Sequence, residues 1–507
     1  MQSKRFGQGL SGRRMRPSQR GRRGFLGMMG GTGAALVAAA CGGSNNNAAK
    51  VATTVATRAA ATTAATAAAT SAAAATAAGT AAAAGTTPAA PLKAATITLW
   101  GADTAPEEAA FHKKLNDDFH AAFPPYQAQD SQFSAGDIYL KLQTALASHT
   151  EPDILFKEGH NLVPLLWDQG LLLPVNDVME DVYKMVGGKD KFSATAVARY
   201  TTSSGDLIGI PNWAGPWVWW FRQDLLQEAG LTPPADHWDW NFLLKAVKAV
   251  HKPPSVYGLA MPLARNNACL QHIGALILGN GGHFVSADLK DVLFDSPEVR
   301  DAVDLIKELA QYTPPDAPNW GNPDQVGAIV KGTCAMGMYL GRVFGNLVTM
   351  NPSLIGKMSN TTIPYNKQPS NWGGAYSHGV FKSSKSPQAA KEMVKFSFRK
   401  EQYIAWMLTA PGYYSAEIPS YGTDPSYTDS PVLKAFDPKL VATFANSEKN
   451  FADFLIEGPG WKSNSKAGAL EGSLFYADVL QKVVIGKEST QSALTAGATA
   501  IRDVMKG

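Results

Sequence analysis

From Thr96 onward, apolar positions alternate between two periods in a regular order. Thr96-Ile-Thr-Leu-Trp-Gly101 reads as a strand ending in a loop. Between Ala105 and Phe123, Phe111, Leu115 and Phe119 recur every four residues, the spacing of one helical face, and Pro124-Pro125 stops the helix. Tyr126 to Phe133 predicts a second strand. Asp137 to Ser148 predicts a second helix with Ile138, Leu142, Ala145 and Leu146 on one side, and Pro152 to Phe156 a short buried strand. This order predicts an α/β fold with a parallel sheet and crossover helices. In such sheets ligands sit outside the carboxyl ends of the strands, here Trp100 to Asp103, Phe133-Ser134 and Lys157 to Asn161.

Further along, Asp206 to Pro211 reads as a strand ending in proline, followed by an aromatic run to Phe221. Helices are predicted at Asp239 to His251, Pro297 to Tyr312, Asp324 to Lys331, Pro387 to Arg399 and Ser489 to Met505, and a strand at Cys334 to Tyr339. At 507 residues the chain is too long for one simple core.

The first hundred residues differ in kind. They carry eleven Lys and Arg and no acid, so the other 407 positions hold 35 basic against 42 acidic side chains, a net of −7. The overall charge of +4 therefore belongs to the leader, and a nucleic-acid-binding role is excluded for want of a basic folded part. Gly21-Arg22-Arg23-Gly24-Phe25-Leu26-Gly27 resembles a twin-arginine export motif. Met28 to Ala40 is too short and too rich in Gly and Ala to span a bilayer. Val37-Ala-Ala-Ala-Cys41-Gly-Gly43 resembles a lipobox, with Ala38 where Leu is usual; an ordinary cleaved signal is the other reading, and both export the chain. Residues 1–40 are thus expected to be a lipoprotein-type signal peptide with Cys41 as the lipid attachment site. Residues 51–90 hold 22 Ala and 11 Thr, a composition that cannot build a core. Residues 41–93 are read as a disordered tether lifting the folded part, 94–507, off a membrane.

Several chemistries are missing. Lys189, Lys357 and Lys487 follow glycine but lack the Ser or Thr of a phosphate-binding loop. No His-Glu-x-x-His or Gly-x-Ser-x-Gly occurs, and nine His lie scattered. No cofactor and no metal is expected. Cys269 and Cys334 are open to pairing or to burial as thiols.

Taken in order, the segments resemble the extracellular solute-binding proteins of bacterial ABC importers, the carbohydrate-type family that includes maltose-binding proteins. The resemblance rests on Thr96 to Trp100, Asp137 to Ser148 followed by Glu151-Pro-Asp-Ile154, and Gln169 to Val175. It continues through Gly209-Ile-Pro211, Trp219 to Leu225, Ala229 to Pro234, Lys331 to Met338 and Gly373-Gly374. It implies two α/β lobes, each a mostly parallel sheet flanked by helices, closing on a ligand by hinge motion. Lobe one would comprise about 94–206 plus 372–410, and lobe two about 207–371 plus 411–507. The implied protein is a monomer that binds a carbohydrate, performs no catalysis and docks on the transmembrane subunits of an ABC permease.

The residue chemistry suits a sugar. Six of twelve tryptophans, Trp213, Trp217, Trp219, Trp220, Trp238 and Trp240, fall within 28 residues. An indole covers the C–H face of a sugar ring while charged and amide groups bond its hydroxyl edge. Trp213 and Trp217, in the loop expected between Pro211 and Phe221, are candidate ligand contacts. Trp238 and Trp240 are read as packing, as is at least one of Trp219 and Trp220. Further candidates are Trp100, Asp103, Ser134 and Glu158 at strand ends, Tyr339 and Arg342 after a strand, Trp372, Gly373 and Gly374 at a turn, and Tyr414 beside Tyr413. Two alternatives remain at this point. One is a secreted glycan-active enzyme, which needs a carboxylate pair such as Glu158 and Asp103. The other is the same scaffold holding a polyamine, peptide or phosphate ester.

Overall fold

A computed structural model describes residues 92–507, apart from 103, 134–136, 159–161, 287–289, 373–374, 448–450, 453–464 and 507. The signal peptide, Cys41 and the tether up to residue 91 lie outside the described residues, as do Asp103, Ser134, Gly373 and Gly374. No helix among the described residues is long and apolar enough to cross a membrane.

β1 (Ala95–Gly101) buries Ile97 and Leu99 at a period of two. α1 (Pro106–Ala122) opens on a proline and buries Phe111, Leu115 and Phe119. β2 (Tyr126–Gln132) pairs parallel with β1; α2 (Ile138–Ser148) follows, and β3 (Ile154–Glu158), buried throughout, pairs parallel on β1's other side. The Pro-Asp pair before β3 has a specific task. The Asp153 carboxylate accepts bonds from Thr98 N at 2.8 Å, Thr98 Oγ1 at 3.0 Å and Ser384 Oγ at 2.5 Å, pinning the start of β3 to the middle of β1. α3 (Leu162–Asp168) then covers the sheet.

β4 (Ile210–Ala214) differs from the expected strand at Asp206 to Pro211: it starts later and includes Trp213. Proline has no N–H for a ladder, and the register shows how β4 accommodates Pro211. Tyr376 pairs with Trp213 and Ser377 with Pro211, so Asn212 is the extra residue of a bulge. Trp213 is thus a strand residue rather than a loop residue.

β5 (Val218–Arg222) enters a second sheet, followed by α4 (Trp240–Val250), β6 (Tyr257–Leu259), β7 (Cys334–Tyr339), α5 (Arg342–Met350) and β8 (Met358–Thr361). Next come β9 (Asn371–Trp372), β10 (Ala375–Val380), α6 (Lys400–Met407), β11 (Ser415–Ala416), β12 (Phe451–Ala452), α7 (Ser465–Ser473) and α8 (Thr490–Lys506). The first sheet has the order β11-β4-β10-β3-β1-β2 and the second β6-β7-β5-β8. In the first, β1 to β4 point one way and β10 and β11 the other; in the second, only β5 is reversed. β5 and β10 are reversed because each has just arrived from the other sheet. Only Gly215-Pro216-Trp217 separate β4 from β5, and Val218 pairs with Tyr339, the last residue of β7. The carboxyl ends of the two sheets therefore face each other.

Each sheet has its own core. One is built from residues between Ile97 and Trp213 and between Ala375 and Leu433; the other spans Trp217 to Ile363 and Phe436 to Ile501. The chain thus crosses later than the expected divisions at 206 and 410, because β4 completes the first sheet before leaving it and Tyr414 to Leu433 pack on the first core. Trp219 and Trp220 are both core. Trp238 packs on Phe221 and Phe242, and Trp240 opens α4 behind Asp239, whose carboxylate caps Phe242 N at 2.7 Å. Cys269 and Cys334 are free and buried, and burial pushes both thiols up to about 12.

The crossings are tied by one buried amide. Asn371 accepts from Trp217 N at 3.0 Å and donates to Trp217 O at 2.8 Å and Ser447 O at 3.0 Å. Asn371→Ala strands three buried backbone groups and is expected to lower the unfolding free energy by about 1–3 kcal/mol in urea titrations.

Candidate ligand site between the lobes

At the end of β3, Lys157 has φ 59°, the left-handed region that side chains rarely occupy. The turn sends its ammonium into the lobe, 4.5 Å over the Trp406 ring, 5.1 Å over Phe156 and 5.2 Å over Phe111. The buried Glu158 follows, opposite Ser377 in the register. Beside them lies an aromatic floor. Trp213 and Tyr376 stack at 4.0 Å with planes 5° apart. Tyr413 lies 5.5 Å and Tyr414 5.0 Å from Trp213, and Trp406 lies 4.1 Å from Tyr414. Burial, and then the charges of Tyr413, Glu158 and Glu471, hold the Tyr376 phenol well above its ordinary range. At the end of β1, half-buried Trp100 meets Phe133 edge-on at 5.0 Å.

The second lobe offers Trp217 and Tyr339, ring centres 5.4 Å apart and edge-to-face. Burial raises the Tyr339 phenol. His272 sits beside Trp217 at 6.1 Å, and burial pushes its imidazole down to about 3, so it is neutral at ordinary pH. Gln325 braces this floor by donating to Met338 O at 2.7 Å and Ala260 O at 3.2 Å.

Between these halves stand Arg342, at the start of α5, and Glu108, in the first turn of α1. Their side chains approach to 3.3 Å. Tyr414 Oη donates to Glu108 Oε1 at 2.8 Å, and the Arg342 guanidinium lies 4.2 Å over the Tyr413 ring. Burial alone would lower the Arg342 pKa; Tyr413, Tyr414 and Glu108 outweigh it, so the guanidinium stays charged.

Of the residues expected from sequence, Trp100, Glu158, Trp213, Trp217, Tyr339, Arg342 and Tyr414 all lie at these facing ends or in the segment beside them. Trp372 lies on a crossing, its backbone paired with Ala452, and its side chain is outside the described set. Three residues escaped the sequence reading as site members. Glu108 carried one local signal, its place three residues after Ala105, whose N–H its Oε2 caps at 2.8 Å. Tyr376 and Trp406 carried none, since the pairing of β10 with β4 brings the first to Trp213 and the packing of α6 brings the second.

The two sides also meet through backbone. A methyl group on Gly341 would overlap the carbonyl oxygen of Gly412, which itself holds φ 83° against Phe344. Gly341→Ala is expected to wedge the lobes apart, weakening ligand binding at least tenfold in calorimetric titration while leaving the far-ultraviolet circular dichroism unchanged.

The model of the family described as bacterial extracellular solute-binding protein matches residues 101–404. A protein of Escherichia coli K12 bearing the name of an ABC transporter periplasmic-binding protein, YcjN, is 22% identical over 318 residues, covering 60% of this chain and 69% of that one. A sugar transporter of Arthrobacter chlorophenolicus A6, solved with bound laminaribiose, superposes with a TM-score of 0.67 at 21% identity, over 81% of this chain and 99% of its own. An ABC transporter solute-binding protein of Agrobacterium radiobacter K84, in complex with ribitol, gives 0.68 at 19% identity, over 82% and 100%. Two lobes with facing strand ends, and a family match over more than half of the sequence, lead to one conclusion: the chain belongs to the bacterial extracellular solute-binding proteins.

Proposed function

We propose that the ligand is a carbohydrate, a mono- or oligosaccharide, held between the lobes and passed to the transmembrane subunits of an ABC permease. The observation that carries this reading is the clustering of Trp213, Tyr376, Tyr413 and Tyr414 from one lobe opposite Trp217 and Tyr339 from the other, with Glu158 at the end of β3 beside them. Flat rings meet the C–H faces of a pyranose, and the Glu158 carboxylate meets its hydroxyls. Structural neighbours with laminaribiose and ribitol bound support the same class. Trp100, Asp103, Ser134, Trp372, Gly373 and Gly374 are proposed to complete the site.

The protein is further proposed to be lipid-anchored at Cys41 on the outer face of the cell membrane after twin-arginine export. Residues 41–93 form the tether, whose 53 residues reach on the order of 40 Å if flexible. That length lets the lobes move while the anchor stays fixed.

Tryptophan-fluorescence titration with mono- and disaccharides tests the first reading. Trp213→Ala and Trp217→Ala should each weaken the sugar so found by about 5- to 150-fold, the value of about 1–3 kcal/mol for a lost stacking partner. Unchanged affinity in both variants would refute the aromatic assignment. For the anchor, Cys41→Ser should move the protein from the detergent-rich to the aqueous phase in Triton X-114 partitioning and remove the acyl mass from the amino-terminal peptide.

A further inference from the structure

We propose that Glu108 and Arg342 form an ion-pair latch that joins the two lobes directly, so that the closed form is held partly by the protein itself and Arg342 acts in closure rather than as a ligand contact. This deepens the binding reading by assigning the closure of the same site.

Glu108 belongs to the first lobe through α1, whose Phe111, Leu115 and Phe119 are part of that core. Arg342 belongs to the second through α5, whose Val343, Phe344 and Leu347 are part of the other. The 3.3 Å contact between them therefore crosses from one rigid body to the other. It needs no ligand, because both partners are side chains of this protein.

The surroundings suit a bond that must break and re-form. The Glu108 side chain is only 5% exposed, and a buried carboxylate without partners would be costly. Two donors come from its own lobe: Ala105 N at 2.8 Å to Oε2 and Tyr414 Oη at 2.8 Å to Oε1. The carboxylate is thus already aimed and partly satisfied before Arg342 arrives. Arg342 is 35% exposed, so its charge can return to water when the lobes part. On closing, its guanidinium lands on the face of Tyr413 at 4.2 Å and beside Glu108 together. Neither state leaves a charge stranded, and the closed state gains a charge-assisted bond and a cation–π contact. Differential contact of this kind is what shifts a two-state equilibrium.

The pair also explains why Arg342, at the carboxyl end of a strand, does not present an open fork to a ligand: its partners in the structure are Glu108 and Tyr413. The Gly341–Gly412 approach next to it sets the two surfaces close enough for the pair to form.

The test uses the protein with its lobes intact and no ligand added. Small-angle X-ray scattering should give the ligand-free wild type a mixture rich in the compact form. Arg342→Met should shift that mixture toward a larger radius of gyration by at least about fivefold in the open-to-closed ratio. Arg342→Lys, which keeps the charge, should fall between the two. Glu108→Gln should behave as Arg342→Met, with circular dichroism confirming that α1 is retained. A wild type as open as Arg342→Met overturns the latch. So does a fall in ligand affinity in Arg342→Met with no change in ligand-free scattering, since that is the signature of a ligand contact. Because the scattering is read without ligand, failure of the carbohydrate reading leaves the test intact.

Discussion

Three stretches of chain leave one core for the other, and the backbone groups they carry through the middle of the molecule must find partners there. Asn371 meets that constraint, imitating a strand with its side chain and holding Trp217 and Ser447. The rest follows from where the chain crosses. It leaves each sheet at its carboxyl edge, so β5 and β10 run backwards in the sheets they join. The strand ends of both lobes then open onto the same gap, where helices and loops place polar groups while the sheets behind stay apolar.

What fills that gap is aromatic at its floor and charged at its edge. Rings supply contact area with few rotatable bonds, so ordering them costs little entropy. The charged groups are arranged differently in the two lobes. Lys157 is turned inward and enclosed by Phe111, Phe156 and Trp406, bracing the first lobe, whereas Arg342 reaches across to Glu108. α7 adds a further link by packing against α3 on one side and α8 on the other. On the two proposals made here, recognition and closure share neighbouring residues.

Much of the first lobe was legible in the sequence because its elements are local. The four-residue spacing of Phe111, Leu115 and Phe119, closed by Pro124-Pro125, marks α1 almost to the residue; in the second lobe, Cys334 to Tyr339 is a strand as read. Pro211 misled the reading of β4, since a proline signals a strand's end unless a bulge beside it in the same strand accommodates the missing donor. The short helices beginning at Pro425, Pro431 and Pro438 were passed over because four to nine residues show no clear period. Their signal was Asp424, Ser430 and Asp437 standing before proline, each capping the turn that follows. Tryptophan density pointed to the segment that carries Trp213 and Trp217 from the first sheet to the second. Glu108 and Arg342 lie 234 residues apart, and no spacing rule links them.

The central claim is that these facing ends bind a carbohydrate. It is tested most directly by thermal unfolding of the folded part, residues 94–507, against panels of sugars, amino acids, polyamines, peptides and phosphate esters. A ligand at 100 times its dissociation constant adds about 2.7 kcal/mol, a clear rise in melting temperature. The account predicts such a rise with one class of mono- or oligosaccharide and none with the other panels. A rise confined to amino acids, polyamines, peptides or phosphate esters would contradict it.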